Sequence, residues 1–405
     1  MHENVKNGPA RPDHILIWIA GLSIAPIIFA YDFMQLSGIH LTKSNLVIGR
    51  DFLNVWSGGS LAISHKLNIL YDYHGYMEWQ SNIFGRLDPY NYSYPPHSLF
   101  LAVLFGGLPY HVSLILWTVL GASFFVWAAR PYMPHNLPML YAIATPAAAV
   151  NIWAGHYGFL IGGLWLIFFS ALKYNPRLAG IIAGLMTLKP HIGIFIAVTM
   201  VIKGKYKSII MASSTAVILV LLSGLAFGFN LWPQWVFDTS ALQAKIMTSP
   251  GEKFYYLMMP SAFIALRDMP DHIAFAVHGC FGIAAFGLFW NARRAVPEDL
   301  AFIAASATAV VLPYIFNYDL TVASLGFVIC LYRHWAVLTR WEKAALWLGF
   351  AVPLLVMAEG YVGPIGLLIG LAVQVRHAKV EKMAQSSGIL RRVGSNRPVE
   401  SVARH

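Results

Sequence analysis

Side chains able to do chemistry interrupt an otherwise apolar chain at four places. These are Arg50 and Asp51 in GRDFLN, Asn151 and His156 in NIWAGHYGF, Lys189 and His191 in LMTLKPHIGIF, and Asn317, Tyr318 and Asp319 in PYIFNYDLTV. Asp51 opens DFLNVWSGGSLAI, whose apolar residues recur near helical spacing. A carboxylate there costs solvation unless it is paired or faces a water-filled cavity, which suits a general base. An aspartate at a helix start equally suits a cap on the unpaired N–H groups, and residue types leave both open. Lys189 sits inside the apolar run 178–202, where an ammonium needs a counter-charge; Pro190 breaks the helix beside it. An anionic ligand such as a lipid phosphate would neutralise it, with His191 or Arg50 as second contacts, and so would a structural partner. His156 and Asp319 either line the same cavity or simply end their helices.

Between Gly49 and His97 the chain turns polar and aromatic. Asn54, Trp56, Tyr71 and Asp72, with Asn45, Tyr73, His74, Trp79 and Gln80, interleave ring faces with hydrogen-bonding groups. Sugar rings need that combination, because their C–H faces stack and their hydroxyls demand directional partners. An interfacial aromatic belt has the same composition. The segment NYSYPPHSLF closes the loop, with Pro95 and Pro96 fixing an extended entry and Tyr94 and His97 on either side.

These residues must be positioned by membrane-crossing helices. Hydrophobic residues are 58% of the 405 and charged residues 11%, with a mean hydropathy of +0.59, whereas a soluble domain carries roughly a quarter charged residues. The expected architecture is an all-α polytopic membrane protein with a single transmembrane domain over 15–375. Apolar runs fall at 15–31, 98–108, 111–128, 138–152, 157–172, 178–202, 207–229, 272–292, 299–316, 320–336, 342–358 and 361–375, which predicts about eleven to thirteen crossings. Polar loops fall at 49–97, where interfacial helices are expected, and at 230–271. The run at 15–31 lacks a small-residue cleavage site and reads as a retained anchor after a cytoplasmic N-terminus, 1–14.

The net charge of +10 sits in short loops and in the basic tail 376–405. It fits orientation by cytoplasmic positive charge and contact with membrane lipids, and no nucleic-acid partner is expected. Lys203, Lys205, Lys207, Arg293, Arg294, Arg333, Arg340 and the tail then share the inner side, and both polar loops face the periplasm or exterior. The run 98–108 is short enough to dip in and return. In that case Arg130, Lys173 and Arg177 lie inside, the Asn151–Tyr157 turn lies outside, and Lys189 marks a second turn near the outer face. If 98–108 crosses fully, those placements invert. Cys280 and Cys330 have no metal or redox spacing. The sequence contains no Walker loop, dinucleotide fingerprint, HExxH, GxSxG or DxD element, so neither a metal nor another cofactor is expected.

Asp51, LYD at 70–72, YPP at 94–96, GHYG at 155–158, LKPH at 188–191 and NYD at 317–319 occur in this order. With that series the chain resembles glycosyltransferase family 87, membrane enzymes of the C-type glycosyltransferase fold that include polyprenol-phosphate-mannose-dependent mannosyltransferases of bacterial envelopes. The resemblance implies transfer of mannose or another hexose from a polyprenyl-phosphate sugar to a hydroxyl of a glycolipid or envelope-glycan acceptor. It further implies inversion, no metal, and a site on the periplasmic face of the bacterial inner membrane. Asp51 maps onto the base, Lys189 and Pro190 onto the Lys-Pro element, and Tyr318 and Asp319 onto the YD pair. His156 and His191 stand where glutamine-like residues are common. From a different class, a transporter or flippase of a lipid-linked or polar solute also fits the composition, although such proteins often carry internal repeats.

Overall fold

A computed structural model describes residue 32 and residues 34–37, 41–42, 45–88, 90–135, 137–249 and 254–379. The expected anchor at 15–31, the N-terminus before it and residues 380–405 of the tail lie outside the described residues. Apart from a two-residue antiparallel ladder pairing Leu36–Ser37 with Leu41–Thr42, the described chain is helical.

The polar loop holds α1 (Phe52–Ile63) and α2 (Tyr73–Phe84), as its apolar spacing predicts. There follow α3 (Leu99–Gly106), α4 (Tyr110–Ala129), α5 (Pro146–Ala154), α6 (Gly158–Tyr174), α7 (Pro176–Leu185) and α8 (Ile194–Ile202). The remainder comprises α9 (Tyr206–Phe227), α10 (Ser240–Thr248), α11 (Asp271–Asn291), α12 (Pro297–Val311), α13 (Thr321–His334), α14 (Arg340–Leu355) and α15 (Val362–Arg376).

Among the described residues three helices are long and apolar enough to cross a membrane by themselves: Tyr110–Tyr132, Tyr206–Phe227 and Asp271–Asn291. Their outward faces carry Ile115, Val119, Ile210, Leu225 and Ile283, each more than half exposed, an apolar exterior suited to hydrocarbon rather than water. The expected eleven to thirteen crossings include several runs that are shorter or broken. The run 138–152 is broken at Pro146 and leaves only the nine-residue α5, and 178–202 splits at Lys189–Pro190 into α7 and α8. At 1.5 Å per residue such pieces reach roughly half of the 30 Å hydrocarbon. The 230–271 loop is not irregular either, for it contains α10 and a π-turn, Trp235–Thr239.

The bundle has two chemically distinct ends. At one, Arg333 donates to the Tyr132 carbonyl (2.7 Å) and pairs with Asp299 (3.1 Å), Lys203 donates to the Ala295 carbonyl (3.4 Å), and Ser208 donates to the Pro176 carbonyl (2.8 Å). That gathers the chain beside Arg130, Arg177, Lys203 and Arg333 on one side. The helices α6 and α13 lead from it to the other end, where Asp51, His156, Lys189 and Asp319 meet. The expected inward dip of 98–108 requires this pairing of ends; a full crossing would put His156 and Asp51 on opposite sides. The eight-residue α3 is docked on α1 by backbone approach. A Cβ on Gly59 would lie 2.1 Å from the Ala102 carbonyl oxygen, and Ser60 donates to the Gly106 carbonyl at 2.7 Å.

Candidate active site

The turn that breaks the apolar run places Lys189 where α7 stops, its N–H donating to the Met186 carbonyl (3.0 Å) and its own carbonyl accepting from Ile192 (3.1 Å). Its ammonium makes a buried two-pronged ion pair with Asp319, 2.6 and 2.9 Å to the carboxylate oxygens, across 130 residues of sequence. Asp319 is presented by the tight turn Asn317–Leu320 ahead of α13. That turn is fixed to α14 by Asn317 donating to the Pro353 carbonyl at 2.6 Å. Two of the three ammonium protons are thereby used. The structural-partner reading of Lys189 is realised, with a carboxylate rather than carbonyls as partner, and one N–H remains.

His156, just after α5, joins the same group. Its ring stacks on Tyr318 (4.0 Å between centroids, 20°), its Nε2 is 2.9 Å from the Tyr94 hydroxyl, and its Nδ1 is 3.8 Å from Asp319. Phe316 also stacks with Tyr318 (5.0 Å, 12°). His191 lies close enough to Lys189 and His156 to act on both electrostatically.

Asp51 precedes α1 but makes no side-chain capping bond, so the cap reading is not realised. Its backbone N–H donates to the Ala154 carbonyl at 3.0 Å, and its carboxylate is near enough to Tyr318, Lys189 and Asp319 to feel all three. Burial pushes the Asp51 carboxyl from its ordinary 3.8 up to about 6, with Asp319 adding to the rise; Tyr318, Lys189 and Arg50 oppose it. A carboxylate poised there is ionised at neutral pH yet basic enough to take a proton.

Several other expected contacts have polar atoms engaged by partners within the fold. Asn54 accepts from the Tyr76 hydroxyl (3.0 Å), and Trp56 donates to the Leu108 carbonyl (2.9 Å) among Trp79, Phe84 and Tyr110. Tyr71 donates to the Tyr94 carbonyl (2.7 Å), and Asp72 caps α2 by accepting from His74 N–H (3.2 Å). Arg50, expected as a second anion contact, is paired with Asp32 at 2.7 Å. His97 lies at the margin, 3.3 Å from the Thr187 hydroxyl and stacked on Trp232 (5.8 Å, 14°). Its imidazole is driven down to about 4 by burial, so it is neutral at physiological pH. Tyr314, which feels both Asp51 and Asp319, escaped the sequence reading, as did Trp153 and Trp232. Tyr314 lies in the same PYIFNYD segment, but an isolated tyrosine there carries no spacing signal. Among the described residues no three His, Cys, Asp or Glu side chains are grouped to hold a metal ion.

Behind His156 an apolar cavity of about 250 Å³ runs between α3, α4 and α6, lined by Leu101, Phe105, Trp117, Gly121 and Phe159. Leu104 and Leu120, at its edge, are 66% and 57% exposed on the lipid-facing surface. The cleft thus reaches from the apolar exterior to the polar centre.

No curated protein and no solved structure matches the chain. The model of glycosyltransferase family 87 matches residues 92–316. That span includes Tyr94, His97, His156, Lys189 and His191, and the fold brings Asp51, Tyr318 and Asp319 to them from outside it. With more than half of its length matched, the chain belongs to glycosyltransferase family 87 and is a membrane glycosyltransferase.

Proposed function

We propose that the enzyme moves a hexose, mannose or a close relative, from a polyprenyl-phosphate donor to a hydroxyl of a glycolipid or envelope-glycan acceptor. In this reading the chain has the C-type glycosyltransferase fold, and residues 15–375 form one catalytic domain. Its site opens on the periplasmic side of a bacterial inner membrane. Family membership sets the transporter reading aside.

The observation that carries the mechanism is an uncapped Asp51 beside Tyr318 and the Lys189–Asp319 pair. Asp51 takes the proton of the acceptor hydroxyl as its oxygen forms the new bond to the anomeric carbon. The anomeric bond to the phosphate oxygen breaks on the opposite face, so configuration inverts. Its electron pair leaves on the phosphate, which the remaining Lys189 N–H stabilises inside a low-dielectric pocket. Tyr318, stacked with both Phe316 and His156, would orient the Asp51 carboxylate. His156 and Tyr94 supply hydrogen-bonding groups for sugar hydroxyls. The apolar cleft ending at His156 supports a substrate with a hydrocarbon chain, which would lie among Leu101, Phe105 and Phe159 while its head reaches the polar centre.

The test is to incubate purified enzyme and membrane glycolipid extract with a panel of polyprenyl-phosphate hexoses, following release of polyprenyl phosphate. Acceptor-dependent release from one of them is expected. Transfer from a nucleotide sugar with none from any lipid-linked sugar would overturn the donor assignment.

A further inference from the structure

The residue before the proposed base has an unusual backbone. Arg50 has φ +37°, a left-handed conformation that side chains with a Cβ rarely adopt and that persists only where the surroundings hold it. Its side chain is held by a buried pair of partners. The Arg50 guanidinium donates to Asp32 Oδ1 at 2.7 Å and lies 3.9 Å over the Trp153 ring, while Trp153 Nε1 donates to Asp32 Oδ2 at 2.8 Å. All three side chains are buried. The backbone interlocks in the same place. Gly49 (φ +81°) and Gly155 (φ +59°) meet so closely that a Cβ on Gly155 would lie 2.6 Å from the Gly49 carbonyl oxygen, and Asp51 N–H is held by the Ala154 carbonyl. The end of α5 and Asp32 therefore grip the 49–51 turn from two sides. Trp153 also packs in one buried cluster with Tyr318.

We propose that Asp32, with Trp153, is a positioning device for Asp51. It holds Arg50 in its left-handed turn so that the next carboxylate faces Tyr318 and Lys189 instead of capping α1, and it cancels the guanidinium charge beside that carboxylate. A base needs this cancellation, because an unpaired cation next to Asp51 would stabilise its ionised form and weaken its pull on the acceptor proton. The other charged or titratable groups facing Asp51 are Lys189, Asp319, Tyr318, Tyr314, Tyr94, Tyr90 and Tyr110. Lys189 and Asp319 already neutralise one another. The Asp32–Arg50 pair is thus a second matched ion pair beside Asp51.

This inference rests on Asp51 being the base, and the test separates the two. Infrared titration of the protonated-carboxyl band that Asp51→Asn abolishes reports Asp51 without any substrate. In the intact enzyme its midpoint is expected near pH 6. Asp32→Asn should move it down by about one pH unit, and Asp32→Asn with Arg50→Gln should bring it back. Asp32→Glu, which keeps the charge, should leave it in place. Transfer by Asp32→Asn should show kcat lowered at least tenfold with KM within twofold. If Asp32→Asn does not fold, Arg50→Gln alone reports the same balance with the opposite sign, an upward shift. An unmoved midpoint in Asp32→Asn, or in Arg50→Gln where that is the variant measured, would overturn the proposal whatever happens to activity. A double variant that keeps the shift would do the same. Full transfer activity in Asp51→Asn would instead overturn the reading beneath it.

Discussion

At the scale of single residues, the centre joins a carboxylate held against its ordinary chemistry to an ion pair buried beneath it. Asp51 holds its proton more tightly in the folded protein, up to about 6 from 3.8, than in the unfolded chain. Its ionised form therefore costs stability, by nothing below pH 3.8 and by an amount that grows until about pH 6 and is constant above. At 1.36 kcal/mol per pH unit the cost is about 3 kcal/mol at most. Thermal unfolding should accordingly show Asp51→Asn more stable than the parent at pH 8 and no more stable at pH 4; a loss of stability at pH 8 would contradict the assignment of strain to this residue. The Lys189–Asp319 pair behaves oppositely. Lys189→Met strands a buried carboxylate and is expected to cost about 3–5 kcal/mol, whereas Lys189→Met combined with Asp319→Leu should regain most of it. A double variant no more stable than Lys189→Met would show that the pair is not the coupled unit seen here.

At the scale of elements, the short helices are positioned by close backbone contact rather than by length. Replacing Gly59 by Val drives a side chain into the Ala102 carbonyl and should separate α1 from α3, lowering the melting temperature and abolishing transfer together. A Gly59→Val enzyme that transfers normally would mean that α1 does not need that seat. How far such elements can be read from sequence varies with the signal each one carries. The Lys189–Pro190 break and the loop helices α1 and α2 were legible, because a proline and an apolar period are local signals. The run 138–152 was not. Its apolar composition cannot reveal that Pro146 starts a nine-residue helix behind an extended Thr145. Asn54, Trp56, Tyr71 and Asp72 show a related limit, since each already has a partner within the fold. A polar or aromatic side chain that bonds a neighbouring helix looks in sequence like one waiting for a ligand, and only the fold distinguishes them.

At the scale of the whole molecule, the polar spots at 51, 156, 189 and 319 were each visible, but their convergence was not. It depends on α5 and α7 stopping short and on Lys189 finding Asp319 across the bundle. The same convergence makes the two ends testable. In a protein with Cys280→Ala and Cys330→Ala, a cysteine at exposed Lys66 should react with an impermeant maleimide applied from outside, and one at exposed Lys207 only after permeabilisation. Labelling of both from one side would contradict the topology. The central claim is that Asp51 takes the acceptor proton, and its most direct measurement is the pH dependence of kcat/KM for transfer. The acid limb should fall near pH 6, and Asp51→Asn should reduce transfer by at least about a hundredfold at every pH while remaining folded. An Asp51→Asn enzyme that keeps both its rate and its acid limb would contradict the account.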